Sequence, residues 1–240
     1  MDIIYNLIYG VQMIFYYPAV GIFFVAAMIF AAICSIRVHT VFSKYNLVRT
    51  GNGVKAYEVA RHILDINGLY DVQIVNIRGN LTDHYDPKRR ILALSDTVYG
   101  NTTVGAIGVA AHECGHAIQH AVGYGPMKVR QAIYPVVAFS SKIWIFVWLA
   151  GCVLEMFTLI QIAILLYAIT AVFQLVTLPV EFDASNRAIK TLADNKLLYG
   201  TELLGARKTL SAAAMTYVSG LLATLAQLLR LMARTSNRRG

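Results

Sequence analysis

Charge is scarce in this chain: Asp, Glu, Lys and Arg make up 14% of its 240 residues, against 57% hydrophobic. A soluble domain carries roughly 25% charged residues, so the deficit argues against a water-soluble globule and for a membrane protein. Cysteine is equally sparse. Cys34, Cys114 and Cys152 are odd in number, far apart and mostly inside apolar runs, which excludes a disulfide framework or a CxxC site. The net charge of +8 would suit nucleic acid, but basic and aromatic residues do not interleave along a soluble face. Positive loops are also what an inserted membrane protein displays, so nucleic acid is not an expected partner. Internal repeats and low-complexity segments are lacking too.

Long apolar runs are what the chain has instead. No charged residue falls between Asp2 and Arg37, more than the ~20 apolar residues one bilayer crossing needs. Residues 1–38 are therefore expected to form a transmembrane helix, embedded through PAVGIFFVAAMIFAAICSI, with Tyr5, Tyr9, Tyr16 and Tyr17 as an interfacial approach before Pro18. A cleaved signal peptide, or a lipoprotein leader ending at Cys34, would want a basic start and small residues before the cut. Asp2 and Ile33 stand there instead, so a retained span is expected. From Ala132 to Val180 only Lys142 and Glu155 carry charge, which predicts a transmembrane helical hairpin over 131–180 with its turn near Gly151 to Phe157. Lys142 at a bilayer centre would cost at least ~2.5 kcal/mol, and snorkelling relieves that. A last apolar stretch, SAAAMTYVSGLLATLAQLL, lies in 211–240 ahead of a basic tail and reads as a further span or as a helix lying on the membrane surface.

Two polar segments separate these runs. In 39–130, VKAYEVARHILDING reads as an amphipathic helix with Val54, Val59, Ile63 and Ile66 near helical spacing and Asn67-Gly68 as its stop. His62 on it is a surface residue. VQIVNI (72–77) and ILALS (91–95) read as strands of a small sheet, bounded by Gly79-Asn80 and Asp86-Pro87. From Asn101 a small-residue helix follows, with Thr102 or Thr103 as its cap and Gly123 to Gly125 ending it. In 181–210, EFDASNRAIKTLADN predicts a polar helix opened by Glu181 beyond Pro179. Lys and Arg number 11 in 37–130, none in 143–180 and five in 181–210. By the positive-inside tendency both polar segments face the cytoplasm, an even number of crossings apart. The fold class is thus a mainly α integral membrane protein, transmembrane helices plus a small α+β part with a short sheet.

One stretch of the small-residue helix is out of character. AAHECGHAIQH, residues 110–120, holds three histidines and a glutamate among Gly, Ala, Val and Ile, and polar groups buried there would need partners. His112 and His116 match H-E-x-x-H: four residues apart, they sit about 40° apart on a helix and can share one metal ion. Glu113, about 100° from His112, can reach a water beside that ion without being a ligand. Zinc lowers the pKa of such a water towards ~7, and Glu113 would take its proton as it attacks an amide carbonyl. Cys114, about 200° round, falls outside the site and reads as a packing residue.

A third protein ligand has two candidates. His120 lies another ~6 Å along the axis, so three histidines in a row would stretch past one ion's coordination sphere; a supporting or interfacial role suits it better. Glu181, beside Pro179 and just after a membrane span, is brought back to the same side as His112 and His116 and is the expected ligand.

GNLTDHYDP (79–87), AAHECGHAIQH and LPVEFDASNRA (178–188) together resemble the neutral zinc metallopeptidases of the YugP type, distant relatives of the HtpX and CAAX-prenyl membrane proteases. The similarity covers nearly the whole chain. It implies a gluzincin-like core in a bacterial plasma membrane, with His112, His116 and Glu181 on Zn2+ and Glu113 as general base. The relatives' downstream motif reads E-F-x-A-D, where the aspartate would orient a zinc histidine. Ser185 stands at that position here, leaving the role to Ser185 or to Asp183. The resemblance also implies that ILALS is an edge strand near the cleft, to which an extended peptide could pair. His84, Tyr85, Tyr124 and Arg187 are available donors for a developing oxyanion.

These readings make the chain a zinc endopeptidase cleaving membrane or membrane-proximal proteins at the cytoplasmic face. Its expected partners are a protein or peptide substrate and the lipid bilayer, with a larger membrane-protein assembly left open. The competing class is a non-catalytic scaffold holding zinc for folding, which would close the site with four protein ligands and have no use for Glu113. A transporter with a chance motif is disfavoured by the long polar segment and the few spans.

Overall fold

A computed structural model describes residues 17–236; Tyr5, Tyr9 and Tyr16 of the expected interfacial approach lie outside the described residues. The elements in order are α1 (Pro18–Tyr45), α2 (Ala56–Ile66), β1 (Gln73–Ile77), β2 (His84–Asp86), β3 (Ile91–Ser95), α3 (Val104–Ala121), α4 (Gly125–Val153), α5 (Phe157–Asp194) and α6 (Gly200–Ser236). The chain is mainly helical with one small sheet, the class its patterning predicts.

Four described helices, α1, α4, α5 and α6, are long and apolar enough to cross a bilayer. One compact unit combines the described residues up to Cys34 with Arg130–Val176 and those from Tyr217 onward. Within it large apolar side chains such as Ile29, Phe139, Phe146 and Leu165 are exposed, a surface suited to lipid rather than water. α4 ends at Val153 and α5 begins at Phe157, so the hairpin turn falls where the sequence puts it.

The second unit comprises Ser35–Val129 and Thr177–Thr216 and has a buried hydrophobic core. Val59, Ile63 and Leu64 of α2, Leu92 and Leu94 of β3, Ile107 and Ala110 of α3, and Val180, Leu192 and Leu210 are buried together. α2 starts with the Lys55 backbone N–H donating to Glu58 Oε2 at 3.0 Å. It stops at Gly68, whose φ of +72° suits the left-handed turn there. Thr103 caps α3 by accepting from the Ala106 N–H.

The sheet corrects one expectation. Strand order is β1-β3-β2, with β1 parallel and β2 antiparallel to β3, so ILALS is the central strand and not an edge. Both its sides are occupied because His84–Asp86, inside a segment that reads as turn, pairs with Ile91–Ala93. The Asp86 carboxylate then accepts from the Lys88 and Arg89 N–H groups, turning the chain back into β3.

A second difference concerns Glu181. It does not open a helix: α5 continues through Pro179 for 38 residues, about 57 Å at 1.5 Å per residue and roughly twice a hydrocarbon core. Phe157–Val180 is free of charge and the remainder carries Glu181, Asp183, Arg187, Lys190 and Asp194. One rod thus has an apolar half and a polar half.

The polar half of α5 meets α3 at minimal separation. A Cβ on Gly115 would lie 2.5 Å from the Ala184 carbonyl oxygen and 3.0 Å from its carbon, and backbone atoms cannot step aside as a flexible side chain would. Gly115→Ala is expected to push the helices apart and cost about 1–3 kcal/mol, read as a Tm several degrees lower in detergent.

Candidate metal centre

Close contact of α3 with α5 brings three donors to one point. His112 Nε2 lies 3.3 Å and His116 Nε2 3.5 Å from Glu181 Oε2, and the three donor atoms fall within 4.8 Å of one another. Glu181 is 2% exposed, and Glu113 and His116 are each 8%. The two imidazoles meet edge to face, with centroids 4.7 Å apart and planes at 81°, as one turn of helix dictates. His120 is not part of this cluster. Its Nδ1 pairs with the Tyr85 hydroxyl at 2.9 Å, tying α3 to β2.

The outward nitrogens of both histidines are already engaged. His112 Nδ1 lies 3.1 Å from Ser185 Oγ, and His116 Nδ1 lies 3.0 Å from Gln119 Oε1. Ser185 thus meets His112 through a hydroxyl, which can donate or accept, where an aspartate could only accept. Asp183 reaches His116 indirectly, through Gln119 Nε2 at 2.8 Å, and is paired with Arg187 Nε at 2.6 Å.

The donor set fits a zinc ion. Two ligands bound at ~2.0–2.1 Å in tetrahedral geometry are about 3.3–3.4 Å apart, and the two observed nitrogen–oxygen distances are of that size. With its Nδ1 proton given to Gln119, a neutral His116 turns a lone pair towards a carboxylate oxygen. Two acceptors facing each other call for a cation or a proton between them. Burial opposes a charge on His116, yet hydrogen bonding to Glu181 and the nearby Glu113 and Glu181 carboxylates outweigh it, raising its pKa above the ordinary histidine value.

The remaining sequence candidates are dispersed. His84 is exposed and its Nδ1 pairs with the Thr82 carbonyl at 2.9 Å. Tyr124 donates to the Pro179 carbonyl at 3.5 Å and lies under the Arg187 guanidinium, 5.8 Å from the ring centroid. Cys114 is fully buried with its thiol on the Ala60 carbonyl; burial pushes the thiol pKa well up, and it packs rather than ligates. Lys142 is exposed on α4.

Gln119 joins the centre without an H-E-x-x-H motif to mark it, bonded to His116, Val180 and Asp183. The hint in the sequence is its spacing, three residues beyond His116 and seven beyond His112, which puts the amide on the histidine face of the helix.

Comparison with known proteins agrees with this geometry. Residues 20–236 match the model of a family described as "Putative neutral zinc metallopeptidase". The chain is 46% identical over 194 residues, 81% of its length and 86% of the relative's, to the "Putative membrane protease YugP" of Bacillus subtilis (strain 168). No solved structure matches.

Metal analysis checks the cluster. Purified wild-type chain should hold about one zinc, whereas His112→Ala, His116→Ala and Glu181→Ala should each fall close to none.

Proposed function

The chain belongs to this zinc metallopeptidase family, and from that premise we propose that it is a membrane-embedded endopeptidase of the gluzincin type. It would hydrolyse peptide bonds of membrane or membrane-proximal proteins at the cytoplasmic face. His112, His116 and Glu181 would hold the zinc, and Glu113 would act as general base. The single observation that carries this reading is the convergence of three protein donors from α3 and α5, with a second carboxylate, Glu113, buried on α3 but outside the set. Three ligands rather than four leave a position for chemistry.

Zinc, when bound, supplies Lewis acidity that polarises a carbonyl and acidifies a water. Glu113 would accept a proton from the attacking water as the water oxygen bonds to the amide carbon, and would return it to the departing nitrogen as the C–N bond breaks. A carboxylate one residue from His112 on a rigid helix needs no reorganisation for that task.

The α5–α6 side of the centre offers room for a peptide. A cavity of about 490 Å³ runs between the polar halves of α5 and α6, lined by Phe182, Ser185, Ile189, Lys190, Arg207 and Ser211 among others. Its link to the cluster is Ser185, which lines the cavity and pairs with His112 Nδ1; His112, Glu113, His116 and Glu181 do not line it. The orientation rests on the lysines and arginines clustered in 37–130 and 181–210.

Two measurements test the proposal. Glu113→Gln should keep zinc and lose roughly 10²- to 10⁴-fold of peptidase rate on a casein or peptide substrate; wild-type rates in that variant would overturn it. Ser211→Trp, exposed at the cavity wall, should raise KM several-fold with zinc content unchanged.

A further inference from the structure

Gln119 makes no contact with solvent, and its amide is engaged at both ends. Nε2 donates to the Val180 carbonyl at 2.7 Å and to Asp183 Oδ2 at 2.8 Å. Both partners are acceptors, so the orientation of the amide is not arbitrary: the NH2 must face them. Oε1 is thereby fixed towards His116 Nδ1, 3.0 Å away, and an amide oxygen can only accept. The His116 proton is consequently held on Nδ1 and the Nε2 lone pair is directed at Glu181.

Its other bonds act on the opposite side of the site. The Val180 carbonyl immediately precedes Glu181 and Asp183 follows it by two residues, so Gln119 grips α5 on both sides of the carboxylate. Asp183 is in turn held by Arg187 at 2.6 Å, one turn further along α5. One side chain thus sets the tautomer of one metal donor and the position of another. Ser185 cannot do the same for His112, because a hydroxyl both donates and accepts and leaves that ring's tautomer open.

We propose that Gln119, backed by Asp183 and Arg187, is a positioning residue of the metal centre that fixes the His116 tautomer and clamps Glu181 to it, so that zinc affinity depends on an amide that never touches the ion. The proposal rests on His116 and Glu181 being zinc ligands. Partners behind a metal-bound histidine typically contribute 10- to 100-fold in metal affinity, and Gln119 has two of the three ligands to orient.

The test is zinc affinity by competition with a chromogenic chelator on the full chain in detergent, beside the visible spectrum of the Co2+ form. Gln119→Leu should bind zinc roughly 10- to 100-fold more weakly and alter the Co2+ spectrum. Gln119→Glu should not rescue it, because a carboxylate could accept from His116 but would face Asp183 and Val180 without a donor. Asp183 is partly exposed, so its variants guard against a Gln119 variant that does not fold. Asp183→Asn, which can still accept from Gln119, should stay within a few-fold of wild type, and Asp183→Leu should lose most of what Gln119→Leu loses. Wild-type affinity in Gln119→Leu would overturn the proposal. So would equal effects of Asp183→Asn and Asp183→Leu with an unchanged Co2+ spectrum, the mark of a purely structural role. His116→Ala retaining zinc would instead overturn the ligand assignment on which the proposal stands.

Discussion

The metal centre depends on two helix backbones being allowed to touch. His112 and His116 belong to α3 and Glu181 to α5, and the donors share one point only because nothing larger than hydrogen stands between Gly115 and the Ala184 carbonyl. The same small-residue economy recurs at Gly108, where an added Cβ would lie 3.4 Å from Ala206 Cβ on α6. α3 therefore acts as an axle with neighbours packed close on several sides. Its glycines lower helix propensity, and what the helix gains is close approach to its neighbours.

Bringing polar side chains into so apolar a chain creates a second constraint, the satisfaction of buried donors and acceptors. The structure meets it by reciprocal pairing: Ser185 with His112, Gln119 with His116, Val180 and Asp183, and Asp183 with Arg187. Away from the centre the same logic holds in the sheet, where both oxygens of Asp83 accept from Ser95 at 2.7 and 2.9 Å. Burial raises the Asp83 pKa against the pull of those bonds. With its outward nitrogen atoms tied to neighbours, each histidine has one nitrogen left facing Glu181. That shared orientation makes the cluster read as a metal site rather than a chance meeting of polar groups.

The chain's membership of a zinc metallopeptidase family accords with a group of side chains that could hold a metal ion. Glu113 adds what a purely structural metal site would not need. The 38-residue α5 adds a physical link: one unbroken helix contains both a stretch long enough to cross a bilayer and the carboxylate of the cluster, so the third donor is carried on the membrane anchor itself.

Much of this was written in local patterns. Charge-free runs gave the apolar helices, an i, i+4 histidine pair gave two donors on one face, and the Asn67-Gly68 and Gly123 stops gave helix ends, because each depends on residues within one or two turns. Tertiary structure decided what depends on distant partners. A three-residue β2 has too few positions for alternation to show, so ILALS became central only when His84–Asp86 was seen to pair with it. Pro179 reads locally as a helix start, yet α5 passes through it, since losing one backbone bond is outweighed by packing along the helix. The spacing of Gln119 put it on the histidine face but left its role open, because an amide's role is set by what lies across the interface, here Val180 and Asp183, more than 60 positions away in sequence. The sequence by itself determined which side chains could bind a metal; only the packing of α3 on α5 decided that they meet, because convergence is a property of two surfaces and not of one.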